Sequence, residues 1–234
     1  MGLQWALSYI HGHATMRPEA VFFDLDGTLA DTAPDLGGAL NTLLASRFLP
    51  AVLPERYRPM AGHGSVALLA LAGITPQSAD FARWQQDYLN EYARREHQSS
   101  TLFDGVADLL DGLARRGLTW GIITNKPQRF TERLLAKLAL PVPPDVVVCG
   151  DTCAEPKPSA LPMLYACEQT GVPPEHCLYV GDAERDMQAG RAAGMTTVLA
   201  RWGYIPAHER PQQWDWDYEV YEPADILTLP CFFD

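Results

Sequence analysis

Apolar residues recur along this chain in two rhythms, and the change between them divides it. A short continuous apolar run, Ala20-Val21-Phe22-Phe23, reads as a buried strand. Over residues 33–46 the apolar positions Leu36, Ala39, Leu40, Leu43 and Leu44 fall at helical spacing. Pro50, Pro54 and Pro59 then break the pattern, and Ala61-Gly62-His63-Gly64-Ser65 reads as a flexible loop leading into 66–71. A further helix is predicted over 78–95, with Phe81, Trp84, Tyr88 and Tyr92 near one face. From Phe103 onward strands and helices alternate. Helices are predicted over 106–116, 129–138, 160–170 and 184–193, and strands over 118–124, 145–149, 177–181 and 196–199. That alternation implies right-handed crossovers and a doubly wound parallel α/β sheet. Residues 16–32 and 101–234 are expected to form this core, with 33–100 as an α-helical insertion. The tail beyond Gly203, rich in Trp, Pro and Asp, is expected to wrap the core, with a last short helix starting at Pro223.

Composition narrows the class. At 234 residues and 47% hydrophobic content the chain can bury one sizeable core. Its net charge of -11, without a basic stripe, argues against nucleic acid and anionic lipid as partners. No run approaches the roughly 18 apolar residues of a membrane span. Cys149, Cys153, Cys167, Cys177 and Cys231 are odd in number and scattered, so reduced thiols in a cytoplasmic protein are expected. Residues 1–15 lack the basic start and long apolar run of a signal peptide. Met16-Arg17-Pro18 sits just before the first strand, so Met16 is read as the natural start and 1–15 as a disordered extension. His11 and His13 have no visible third ligand for a metal. Oligomeric state is not legible.

The chemistry gathers where strands end. In open parallel sheets ligands bind beyond the carboxyl ends of the strands. The first strand delivers Asp24 and Asp26, then Gly27 for a tight turn and Thr28 with a hydroxyl and a further N–H. Two carboxylates at a strand end are costly unless paired or holding a cation, and a hard divalent ion such as Mg2+ suits them. The second predicted strand ends in Thr124-Asn125-Lys126-Pro127, the third leads to Lys157, and the fourth to Gly181-Asp182 with Asp186 one helical turn on. Asp24 is a candidate nucleophile on phosphorus, and Asp26 a general acid and base. Thr124 and the N–H groups after it suit phosphoryl oxygens, Lys157 offsets the developing charge, Asp182 suits a metal, and Asp186 supports it.

These four motifs, in this order, resemble those of the haloacid dehalogenase-like phosphohydrolases. Asp24-Leu25-Asp26-Gly27-Thr28 is similar to the first motif, Thr124 to the second, Lys157 to the third, and Gly181-Asp182 with Asp186 to the fourth. The resemblance covers the chain from Arg17 onward. It implies a Rossmann-like core with a small helical cap, an aspartyl-phosphate on Asp24, and Mg2+ held by the Asp24 carboxylate, the Asp26 main-chain carbonyl and Asp182, with Asp186 at the metal site. It also implies a small phosphomonoester substrate contacted by Gly27, Thr28, Asn125, Lys126 and, from the cap, His63 and Gly64. Ala183 departs from the polar residue often found there. Thr124-Asn125-Lys126-Pro127 is typical of phosphoglycolate phosphatases. The stretch 181–194 and Arg201-Trp202-Gly203-Tyr204-Ile205, with Trp214, are nearer to N-acetylmuramic acid 6-phosphate phosphatases. A sugar phosphomutase shares the four motifs and differs in its cap. A 2-haloacid dehalogenase needs no second aspartate, so Asp26 argues against it. A non-catalytic protein that binds a phospho-ligand or partner has no need of the intact set.

Overall fold

The computed structural model describes residues 17–95 and 97–233. The expectations for residues 1–15, including His11 and His13, and for Met16 as the start lie outside them. β1 (Ala20–Phe23) is followed by the two-residue β2 (Ala30–Asp31). Then come α1 (Ala33–Ser46), α2 (Pro54–Tyr57), a 3-10 helix (Arg58–His63), α3 (Gly64–Ala70) and α4 (Phe81–Arg94). β3 (Thr101–Leu102) returns antiparallel to β2. The rest alternates as α5 (Val106–Arg115), β4 (Thr119–Ile123), α6 (Gln128–Leu135), β5 (Val146–Val148), α7 (Leu161–Thr170), β6 (Cys177–Gly181), α8 (Glu184–Ala193), β7 (Thr196–Ala200) and β8 (Tyr218–Val220).

Six of these strands form one parallel sheet in the order β5-β4-β1-β6-β7-β8, with β1 at its centre. Successive side chains of a strand face opposite sides, and β1 divides accordingly. Val21 and Phe23 enter a core with α5, α6 and the C-terminal tail, and Ala20 and Phe22 enter a second core with α7 and α8. Burial on both faces is why β1 reads as an unbroken apolar run rather than an alternating one. The tail wraps as expected: Ile226, Leu229, Cys231 and Phe232 belong to the first core. All five cysteines are free, and no helix among the described residues is long and apolar enough to cross a membrane.

Residues 33–95 pack a third cluster from Leu36, Leu40, Leu43, Leu44, Leu68, Leu69, Tyr88 and Tyr92. Phe130 and Tyr204 reach into it from the sheet side. Here one expectation is corrected. Residues 61–65 are not a loop, because Ala61, Gly62 and His63 close a 3-10 helix and Gly64 opens α3. Gly64 takes φ +77 at the junction, which satisfies the glycine signal without a loop. Burial of Ala61, Leu68 and Leu69 against the cluster holds these short helices, which local propensity would not.

Candidate active site

Asp24 follows the central strand. Its N–H donates to Val180 O on β6, and its Oδ1 accepts the N–H of Leu25 at 2.7 Å. Lys157, with a fully buried side chain, reaches it at 3.0 Å. The same ammonium lies 2.7 Å from Asp186 Oδ1, 2.8 Å from Ile123 O and 2.7 Å from the Tyr179 hydroxyl. On the other side Arg185 Nη2 stands 3.8 Å from Asp24 Oδ2. Burial acts to raise the Asp24 pKa. The charges of Lys157 and Arg185, with the Leu25 N–H, outweigh it and hold the carboxyl below the usual carboxylate range.

Asp182 has fewer compensating neighbours. Thr28 Oγ1 donates to its Oδ1 at 3.1 Å and Tyr204 N–H to its Oδ2 at 2.7 Å, which fix its orientation. Burial, then the charges of Asp24 and Asp186, push its carboxyl up to about 7. One oxygen from each of Asp24, Asp182 and Asp186 lies within 4.8 Å of the others. A buried, oxygen-only set in which one carboxyl resists ionisation suits a hard divalent cation. Space around Asp182 is kept by two glycines: a Cβ on Gly27 would stand 2.2 Å from Asp182 Oδ2, and one on Gly203 2.2 Å from Asp182 Cβ. Asp186 Oδ2 also accepts the N–H of Ala183 at 3.0 Å. Half of a capping box at the start of α8 therefore survives although Ala183 has no polar side chain.

Asp26 pairs with Lys126 at 3.0 and 3.1 Å and accepts the Thr32 hydroxyl at 2.5 Å. Thr124 Oγ1 accepts the Lys126 N–H at 3.2 Å. Above these groups opens a cavity of about 490 Å3. Asp24, Asp26, Thr124, Asn125, Lys126, Arg129 and Arg185 line it from the sheet side. Tyr88, Leu89, Tyr92, His63, Gly64, Ser65 and Gln85 line it from the helical block. Two of the contacts that tie that block down lie at the cavity: Arg185 donates to Gly62 O at 3.0 Å, and His63 Nε2 lies 3.0 Å from Glu209 Oε1. His63 Nδ1 is buried without a hydrogen-bond partner.

The structure sorts the residues expected at the substrate. Lys126, Asn125, His63 and Gly64 line the cavity, but Asn125 spends its amide on Lys157, donating to Lys157 O and accepting from Lys157 N–H, both at 2.9 Å. Gly27 and Thr28 face Asp182 instead and are not among the described residues lining the cavity. Arg185, Tyr179 and Arg129 were not singled out in the sequence. Arg185 left a signal: a cation in the first turn of a helix opposes the macrodipole and calls for a local reason. Tyr204, noted there only for its likeness, links three elements. Its hydroxyl donates to Asp31 at 2.6 Å and accepts the Ala33 N–H at 2.9 Å, and its own N–H holds Asp182. Arg58 completes the link through an ion pair with Asp31 at 2.6 Å.

A buried carboxylate balanced by lysine thus stands at the carboxyl edge of a doubly wound parallel sheet, across a cavity from the tyrosines of the helical block. The chain belongs to the haloacid dehalogenase-like hydrolases, whose family model matches residues 21–200. It is 41% identical over 209 residues to a phosphoglycolate phosphatase of Xanthomonas campestris pv. campestris, covering 89% of this chain and 95% of that one. It is 37% identical over 215 residues to an N-acetylmuramic acid 6-phosphate phosphatase of Pseudomonas aeruginosa, covering 92% and 95%. The crystal structure of a predicted phosphoglycolate phosphatase from Haemophilus somnus superposes with a TM-score of 0.80 at 26% identity, over 92% of this chain and 99% of that one. The protein is thus an enzyme, a phosphatase of this type.

Proposed function

We propose that this phosphatase hydrolyses a sugar phosphate that also bears a carboxylate, N-acetylmuramic acid 6-phosphate, through an aspartyl-phosphate on Asp24, with residues 33–100 acting as a cap over the core. The reaction type rests on the Asp24 carboxylate at the cavity floor, favoured in its ionised form by Lys157 and Arg185. An ionised carboxylate is a nucleophile, and its two cations are placed to offset charge as phosphorus is attacked. The bond from Asp24 Oδ to phosphorus forms as the bond to the leaving alkoxide breaks. Asp26, two residues on and turned toward the cavity, protonates the alkoxide. It then takes a proton from the water that hydrolyses the aspartyl-phosphate, restoring Asp24. Asn125 holds the Lys157 backbone in place for this. Asp24 and Asp182, with the Asp26 main-chain carbonyl that the family resemblance adds, would hold Mg2+, and Asp186 would orient Lys157 beside them. Bound there, Mg2+ would neutralise phosphoryl oxygens and position the phosphate. Five free thiols fit a reducing, cytoplasmic setting.

Size and chemistry support the substrate. Phosphoglycolate has about nine non-hydrogen atoms, whereas cavities of about 300–1,000 Å3 are typical for much larger ligands. The cavity here, about 490 Å3 with Tyr88 and Tyr92 in its wall, suits a pyranose ring. Both substrates named for the relatives are phosphate esters of a carboxylic acid. The test is phosphate release with Mg2+ from N-acetylmuramic acid 6-phosphate and 2-phosphoglycolate, compared as kcat/KM. A preference of about a hundredfold for the amino sugar, roughly 3 kcal/mol of transition-state binding, is expected. A preference for phosphoglycolate overturns the substrate assignment. An Asp24→Asn variant that releases phosphate at the parent rate overturns the mechanism.

A further inference from the structure

The cations facing the cavity are Lys126, Arg129 and Arg185. Lys126 is paired with Asp26, and Arg185 faces Asp24. Arg129 alone of these has no carboxylate partner among the described residues, in a chain of net charge -11 where partners abound. Its guanidinium lies over the Phe130 ring, 4.6 Å from the centroid. That contact orients the planar fork while leaving its N–H edges free for a planar anion. Its position is also unfavourable for the helix, since a cation in the first turn of α6 opposes the macrodipole. Arg129 is exposed to solvent where it lines the cavity, so its donors are available to a ligand there.

We propose that Arg129 is the specificity-determining residue for the substrate's carboxylate, which it binds bidentately from the wall of the cavity. This rests on the function proposed above. The phosphoryl end is served by Lys157 and Arg185, so the ester and the acid of one substrate are read by separate cations. A carboxylate matches the guanidinium fork in shape as well as in charge, whereas a neutral sugar hydroxyl leaves most of the donors unused. The expected signature is selective: loss of Arg129 weakens binding of acids and leaves the chemistry at phosphorus alone.

The test uses two substrate pairs, one member of each bearing a carboxylate (on a lactyl ether in the sugar pair, directly on the two-carbon chain in the other), assayed with the full chain and Mg2+. One is N-acetylmuramic acid 6-phosphate against N-acetylglucosamine 6-phosphate, the other 2-phosphoglycolate against ethyl phosphate. The parent is expected to prefer the acid in at least the sugar pair. Arg129→Gln should raise KM for that acid ten- to a hundredfold with kcat within about threefold, and should leave its acid-free partner within about twofold. Arg129→Lys should recover part of the loss, because it restores charge without the fork. A parent preference that survives in Arg129→Gln, or an equal loss on both members of a pair, overturns the assignment and leaves the proposed function standing. A parent that hydrolyses neither acid overturns the proposed function, and the role of Arg129 falls with it.

Discussion

Asp182 makes the stability of the metal-free protein depend on pH in a direction unusual for an aspartate. Its folded pKa is raised from 3.8 to about 7, chiefly by burial and then by Asp24 and Asp186. Below the unfolded value both states hold the proton and nothing is lost. As pH rises from there to about 7, the unfolded chain releases a proton that the folded one keeps, so stability falls, levelling off above. At about 1.36 kcal/mol per unit the full penalty is about 4 kcal/mol, of which about 2.5 kcal/mol develops between about pH 5 and pH 8. Asp24, held low, does not slope in this window. His97, lowered chiefly by burial and then by Lys126, gains stability as pH rises there, which is why a variant is needed as the reference. Asp182→Asn removes the titration and keeps an oxygen for the N–H of Tyr204. Urea unfolding of parent and variant in a chelator, at both pH values, isolates the Asp182 contribution as the difference of two differences. The parent should lose about 2.5 kcal/mol more than Asp182→Asn between the two. Excess Mg2+ should stabilise the parent more at the higher pH. Equal slopes for the two proteins, within about 0.5 kcal/mol, would refute the account of Asp182 as a carboxyl strained by burial among acids.

Two substitutions test the frame around the site. Gly27→Ala meets both a φ of +91 and a Cβ 2.2 Å from Asp182 Oδ2, so phosphate release should fall at least a hundredfold and the variant should unfold at lower urea; near-parental kcat/KM would show that Asp182 tolerates displacement. Tyr204→Phe strips the Ala33 N–H of its acceptor and Asp31 of a donor, which should cost about 1–3 kcal/mol in urea unfolding; no measurable loss would mean that water replaces the hydroxyl.

Much of the core was legible because its strands are buried on both faces. Continuous apolar runs such as Val21-Phe22-Phe23 and Leu178-Tyr179-Val180 leave little choice of state, and β6, α1 and α8 match the expected boundaries. β2, β3 and β8 were missed because strands of two or three residues carry no period and these, unlike Val146-Val147-Val148, form no continuous apolar run. The 61–65 segment was misread because two glycines dominated the local signal, whereas burial of Leu68 and Leu69 decided the outcome. At the site, Asp24, Asp26, Lys157 and Asp182 converge because each follows or leads from a strand end. What sequence did not give is which polar side chains face the cavity and which face each other. Thr28 is a polar residue at the right edge, yet its hydroxyl donates to Asp182, whereas Asn125 both lines the cavity and holds the Lys157 backbone.

The β2–β3 ribbon is the chain's route out of the sheet and back, and its two strands pair with each other, Ala30 against Leu102 and Asp31 against Thr101. No strand of the six-stranded sheet takes its register from residues between them. Exit and re-entry are thus sealed into a single port, and whatever lies beyond it can lengthen, shorten or be exchanged while the sheet below keeps its alignment. The ribbon is thus a two-strand junction, and the pairing of the six strands beneath it does not depend on how long the segment between β2 and β3 is.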